Sequence, residues 1–254
     1  MEILSKEQRE QEDDYVFPYH YIPSLAGGDF SSVRVHRWGY QYMAYLEFVI
    51  EKISGMDFGS LLDVGCGDGR LLHELKLRFG DKRLAGLDMS EQALRFAGAF
   101  NPGIQFICGD ITDPAVMEGK FDVITLIETL EHIKPSDVPT FVEALAGRLA
   151  DDGVIVITVP SRNIRPTRKH YQHFDLESLR QTVRPHLVVA EHFFLNKSSF
   201  ADKVLRRLLV NKLFILNNRR LRNLIYRTYR RFLLNAREGN AGRICILCRK
   251  SESL

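Results

Sequence analysis

Residues 60–69 read SLLDVGCGDG, and their reading decides the fold. Leu61, Leu62, Asp63 and Val64 have the composition of a buried strand, and Gly65, Gly67 and Gly69 then permit a tight turn that lets backbone approach a ligand. GRLLHELKLRF (69–79) follows with helical spacing, so the stretch is strand, glycine turn, helix. Outward from it the alternation continues. RLAGLD (83–88), IQFICGD (104–110), FDVITLIE (121–128), GVIVITVP (153–160), VVAEHFFL (188–195) and RICILCRK (243–250) read as strands. SEQALRFAGAF (90–100), VPTFVEALAGRLA (138–150) and DLESLRQTV (175–183) read as helices, and upstream Trp38, Tyr42, Leu46, Val49 and Ile53 form a helical stripe. Strands joined by helices imply an α/β protein with a mostly parallel sheet, helices on both faces and right-handed crossovers.

Such sheets bind ligands beyond the carboxyl ends of their strands, where the strand order reverses. Asp88 ends the second of these strands, 19 residues past Gly69, where an acid is placed to accept from the two hydroxyls of a ribose. The turn carries its own carboxylate, Asp63, which repels phosphate and suits a ligand with a cationic amino group, such as the amino acid end of S-adenosylmethionine. Asp110, at the end of IQFICGD, is placed to accept from an adenine amino group, with Ile111 offering backbone beside it.

LLDVGCGDG, LAGLDMS, CGDITD and LADDGVIVITVP together resemble the successive motifs of the class I S-adenosylmethionine-dependent methyltransferases, over residues 60–195. The resemblance implies a Rossmann-like seven-stranded sheet whose last strand is antiparallel, with VVAEHFFL and RICILCRK as the closing pair. It also implies that Asp63, Gly65 and Gly67 cradle the methionine end, Asp88 the ribose, and Asp110 with Ile111 the adenine.

ETLEHI (128–133) follows the fourth strand of that core, and PSRNIRPTRKHYQHF (160–174) follows the fifth, so both border the ligand edge. If residues 128–132 are helical, Glu128, Glu131 and His132 share one face. They are then metal ligands, acid and base groups, or a polar helix start that favours the dipole. Oxygen and imidazole donors together suit Mg, Mn or Zn, with a further ligand from His170 or His173. The E-x-x-E-H pattern is similar to that of the ubiquinone-biosynthesis O-methyltransferases. With HYQHF it is also similar to the small-RNA 3′-terminal 2′-O-methyltransferases, and there the resemblance implies Glu128, Glu131, His132 and His173 as the cation's ligands. His132, His170 and His20, the last in the aromatic segment DYVFPYHYIPSL, are the candidate catalytic histidines, His20 as lid or general base. Methylation of oxygen is the expected chemistry, because an acceptor hydroxyl must lose a proton that a histidine or a cation helps remove. The acceptor is expected to be a small molecule, a sugar or a lipid-linked glycan or quinone precursor. An RNA 2′-O-methyltransferase and a non-catalytic cofactor-binding scaffold are the alternatives.

With 45% hydrophobic residues the 254-residue chain can bury a full core, and no apolar run approaches the roughly 20 residues of a spanning helix. Cys66, Cys108, Cys245 and Cys248 give no disulfide framework, which together with the charged N-terminus points to the cytoplasm. Cys245 and Cys248, three apart in a strand, face opposite sides. The net charge of +3 hides an asymmetry: residues 201–237 hold eleven Lys or Arg and one acid, Asp202, for +10, leaving −7 elsewhere. Leu221, Leu224, Ile225, Tyr229, Phe232 and Leu233 trace a helical stripe among those arginines. This segment covers the domain, docks on an anionic membrane at the inner face, or binds nucleic acid. The expected organisation is an N-terminal lid and helix (1–58), a methyltransferase core (59–196), a basic helical insertion (197–242) and a closing strand with tail (243–254).

Overall fold

The computed structural model describes residues 24–26, 29–31, 34–184, 186–209 and 218–251. A two-stranded antiparallel ribbon, β1 (Ser24–Ala26) and β2 (Asp29–Ser31), precedes the long helix α1 (Arg34–Ser54). The core then alternates: β3 (Ser60–Val64), α2 (Arg70–Arg78), β4 (Arg83–Asp88), α3 (Glu91–Phe100), β5 (Gln105–Cys108), β6 (Phe121–Ile127), α4 (Val138–Arg148), β7 (Leu149–Pro160), α5 (Leu176–Val183) and β8 (Leu187–Lys197). Two helices, α6 (Phe200–Leu209) and α7 (Arg219–Phe232), lead to the closing strand β9 (Ala241–Lys250).

Seven strands form one sheet in the order β5-β4-β3-β6-β7-β9-β8. Every pairing from β5 to β7 is parallel, and β9 runs antiparallel to both its neighbours. The order reverses between β3 and β6, which puts the ligand crevice at the ends of those strands.

Neighbouring residues of each central strand enter different cores because successive side chains point to opposite faces. Leu62, Ile124, Ile155 and Ile246 pack under α4 and α5, while Leu61, Val123, Val156 and Cys245 pack under α1, α2 and the end of α7. Cys248 joins the first core and Cys245 the second, so the two thiols lie on opposite faces, as their spacing predicts. Helix starts are fixed locally. Ser90 accepts from the Ala93 N–H, and Asp175 accepts from the Ser178 N–H at 2.7 Å while the Ser178 hydroxyl accepts in return from the Asp175 N–H. Helix α2 differs: it begins after Gly69, which has φ 75° and no side chain to cap it, and Asp68 Oδ1 accepts from the Arg70 N–H at 3.3 Å.

The basic segment departs from the expected single stripe. Tyr229 and Leu233 are buried against α1, where Tyr40 meets the Tyr229 ring edge-on at 5.0 Å and Arg230 donates to Glu47 and Glu51 at 3.0 and 2.7 Å. Leu221, Leu224 and Phe232 instead point outward, 43, 60 and 61% exposed. Helical periodicity shows that apolar residues recur, but not which of them a neighbouring helix covers.

Candidate active site

Three glycine-turn residues adopt positive φ: Gly65 at 72°, Gly67 at 52° and Gly69 at 75°. That geometry excludes most side chains, and at Gly65 space does too: a Cβ there would lie 2.3 Å from Thr129 Oγ1. The turn is anchored to β4, since the Gly65 and Cys66 N–H groups both donate to the Leu87 carbonyl. Asp88 completes it, its carboxylate accepting from the N–H of Gly67 and of Ser90, each at 2.8 Å.

Asp63 is buried in this cradle and accepts from the Thr125 hydroxyl at 2.7 Å. Burial pushes its carboxyl up to about 7; the Thr125 bond opposes this, and the charges of Asp88 and Asp68 reinforce it. A buried acid bonded to a neutral hydroxyl is one whose ionised form a ligand's cationic group would stabilise. At the next strand end Asp110 is exposed and accepts from the Thr112 N–H at 2.9 Å, while the Ile111 side chain is buried in the core.

The turn after β6 packs directly on this cradle, Thr129 Oγ1 reaching the Val64 carbonyl at 3.4 Å. It is not an α-helix. Glu128 has φ 52°, and only Leu130–His132 form a single 3₁₀ turn, so Glu128 does not share a helical face with Glu131 and His132. Instead Glu128 turns to β7 and β9: its carboxylate accepts from Thr158 Oγ1 at 3.1 Å and from Arg243 Nε at 2.9 Å.

Glu131, His132 and His170 converge, with one ligand atom from each within 4.8 Å of the others. Glu131 is 1% exposed, and its Oε2 has no hydrogen-bond partner. Burial raises its carboxyl well above the usual range, and the Glu128 charge adds to this. His132 Nδ1 lies 2.9 Å from the Lys169 carbonyl, which can only accept, so the proton is on Nδ1 and Nε2 carries a lone pair. The same logic runs along the second loop. His173 Nδ1 donates to the Ile164 carbonyl at 3.2 Å, so its Nε2 accepts from His170 Nδ1 at 2.8 Å, and His170 Nε2 is left bare. His170 is held neutral, its value lowered to about 4 by burial and by His132, His173, Arg243 and Lys169 around it.

Of the expected cation ligands, then, the structure assembles Glu131 and His132, replaces His173 with His170, and gives Glu128 to Arg243. A buried carboxylate oxygen with no hydrogen-bond partner among the described residues, beside two imidazole Nε2 atoms whose tautomers make them lone-pair donors, fits a divalent cation by donor chemistry. His20 lies outside the described residues. Sequence reasoning passed over Arg243, Thr158 and Thr125. The signal for Arg243 was an arginine opening an otherwise apolar strand, RICILC, where a cation needs a partner.

Residues 61–153 match the family model described as a methyltransferase domain. With the seven-stranded fold, that match identifies these residues as a domain of the class I S-adenosylmethionine-dependent type. Among relatives, a ubiquinone biosynthesis O-methyltransferase of Neisseria meningitidis serogroup C (strain 053442) is 36% identical over 109 residues, 41% of this chain and 44% of that protein. A small RNA 2′-O-methyltransferase of Mus musculus is 27% identical over 161 residues, 56% of this chain and 40% of the other. The chain spans about half the length of the curated relatives it matches or less. In fold it is similar to the N-methyltransferase NodS from Bradyrhizobium japonicum WM9 in complex with S-adenosyl-l-homocysteine, with TM-score 0.61 and 15% identity over 98% of this chain and 100% of that one. No helix of the described residues is long and apolar enough to cross a membrane.

Proposed function

We propose that this protein transfers the methyl group of S-adenosylmethionine to an acceptor hydroxyl, and that the acceptor is held beside Glu131, His132 and His170. The observation that carries this reading is the contact of Thr129 with the glycine turn, which sets the three converging side chains against the cofactor cradle. S-adenosylmethionine supplies an electrophilic methyl group, and a divalent cation held by Glu131, His132 and His170 would acidify a bound hydroxyl. The chain's own residues do the rest. Asp63 meets the ammonium, and Asp88, fixed by two backbone N–H groups, presents its remaining acceptor capacity to the ribose. Asp110 and Ile111 flank the adenine. Without a cation in the site, His132 Nε2 or His170 Nε2, each set as an acceptor by its Nδ1 bond, takes the hydroxyl proton without first changing tautomer; with one, the same two lone pairs would be its ligands. Displacement at a methyl group gains most from alignment, which rigid strand ends provide.

Small-molecule, sugar and lipid-linked hydroxyls are the acceptors this reading favours. The outward Leu221, Leu224 and Phe232 with the exposed Arg220, Arg227 and Arg231 support docking of α7 on an anionic membrane, where a lipid-linked acceptor would be presented. Labelled cofactor supplied to a cell extract separated into lipid, glycan and RNA fractions tests the acceptor. Label in RNA alone would replace this reading with a 2′-O-methyltransferase, and label in no fraction with a cofactor-binding scaffold. Asp88→Ala is expected to abolish calorimetric binding of S-adenosylhomocysteine, and unchanged affinity would refute the cofactor assignment.

A further inference from the structure

Arg243 stands opposite Pro160, the last residue of β7, and so at the carboxyl edge where the acceptor enters. Its side chain is 19% exposed, and the guanidinium carbon lies 4.3 Å from the centre of the Tyr45 ring. Nε donates to Glu128, and that carboxylate is itself pinned by Thr158. The plane of the guanidinium is therefore fixed on its face and along one edge. Among the described residues no acceptor reaches Nη1 or Nη2.

An arginine that serves only to pair with a carboxylate ordinarily grips it with two parallel N–H groups. Here one is used. A buried ion pair also adds little stability over apolar packing of the same shape, so stability alone does not account for a guanidinium at this place. What the arrangement provides is a rigid fork of unpartnered donors, with the Glu128 charge confined to its Nε side. Glu128, which Arg243 holds, opens the turn that carries Glu131 and His132, so the fork lies on the same edge as the groups that would receive the hydroxyl.

We propose that the open Nη end of Arg243 binds an anionic group of the acceptor, a carboxylate or a phosphate, so that the molecule methylated carries an acid near its hydroxyl. This rests on reading that edge as the acceptor site. The test uses three probes on one phenyl ring, benzoate, phenylphosphonate and neutral benzamide, titrated into the protein saturated with S-adenosylhomocysteine. Wild-type protein binds at least one anion about tenfold or more tighter than benzamide. Benzoate ahead of phenylphosphonate assigns a carboxylate, and the reverse order a phosphate. Arg243→Gln alone would strand the Glu128 charge, so the decisive variant is Glu128→Gln with Arg243→Gln, in which the preference disappears. Arg243→Lys keeps the charge without the fork and retains part of it. No preference in wild type, unmeasurable binding included, or a preference that survives the double substitution, overturns the proposal. S-adenosylhomocysteine affinity is read in every variant: its retention shows that the methyltransferase reading stands whatever becomes of the anion site.

Discussion

Asp63 is the residue whose chemistry is most sensitive to what the cradle holds. Its carboxyl, pushed up to about 7 by burial, is half protonated near neutrality in the ligand-free protein, and an incoming ammonium favours the ionised form. Affinity for S-adenosylhomocysteine is therefore expected to fall by up to about tenfold per pH unit below 7, as the acid takes up a proton that the ligand must displace. Titration calorimetry between pH 5.5 and 8 reads this, and Asp63→Asn should weaken binding and flatten the profile; a steep profile in that variant would assign the titration elsewhere. The sign for stability is opposite to the usual aspartate. A raised native value means that the ligand-free protein binds the proton more tightly than the unfolded chain, so this group's contribution is present below about 4 and lost as pH rises through 7. His173 acts at one remove, through the tautomer of His170. His173→Leu removes the acceptor from His170 Nδ1, whereas Gln supplies an oxygen to accept from His170 and an amide N–H for Ile164. Nitrogen-15 spectra should show His170 protonated at Nδ1 in wild type and His173→Gln but mixed in His173→Leu, with Mn²⁺ affinity about tenfold weaker only in the last. Identical spectra in all three would leave His173 a packing residue.

Two elements were readable from sequence in different degrees. The strand–turn–helix at 60–79 formed as its residues predict, because apolar strand positions, positive-φ glycines and a helical repeat are all local properties. Gly65→Ala combines an unfavourable φ with a Cβ driven into Thr129, so it is expected to cost about 2 kcal/mol or more in urea denaturation and to weaken cofactor binding. The turn at 128–133 was not readable, since an α-helix over E-x-x-E-H and a left-handed residue followed by one 3₁₀ turn use the same residues. Bonds from Thr158 and Arg243, on β7 and β9, hold Glu128 in its positive-φ conformation. Helix α7 shows the same limit, since its apolar residues were visible and their division between two faces was not. Tyr229→Ala, which empties a buried site against α1, should cost about 3–5 kcal/mol. Replacing Leu221, Leu224 and Phe232 together by Ser should leave the melting temperature nearly unchanged while abolishing flotation with phosphatidylglycerol vesicles. Flotation that persists, or is absent in wild type, removes the membrane reading of this helix.

At the scale of the whole molecule the site is a product of sheet order. β3, β4, β6, β7 and β9 come from distant parts of the chain, and their ends gather Asp63, Asp88, Glu131 and Arg243 because β3 and β6 are neighbours at the reversal and β9 inserts between β7 and β8. Binding of S-adenosylhomocysteine should therefore raise the melting temperature of the whole cooperative unit, and Asp88→Ala should lose that shift. The sequence by itself determined the α/β class, the run of strands and helices, the glycine turn with Asp63 before it and Asp88 at the next strand end, and the opposed thiols of Cys245 and Cys248. Each of these follows from periodicity or from residues a few positions apart, where backbone geometry transmits the pattern directly. Only the tertiary structure decided that His170 rather than His173 turns to Glu131 and His132, that Glu128 belongs to Arg243, and that α7 leaves half its apolar residues uncovered. Glu128 and Arg243 are 115 residues apart, and what joins them is the antiparallel register of β9 on β7. A contact of that kind depends on which strands become neighbours, and no local pattern in either segment encodes its partner.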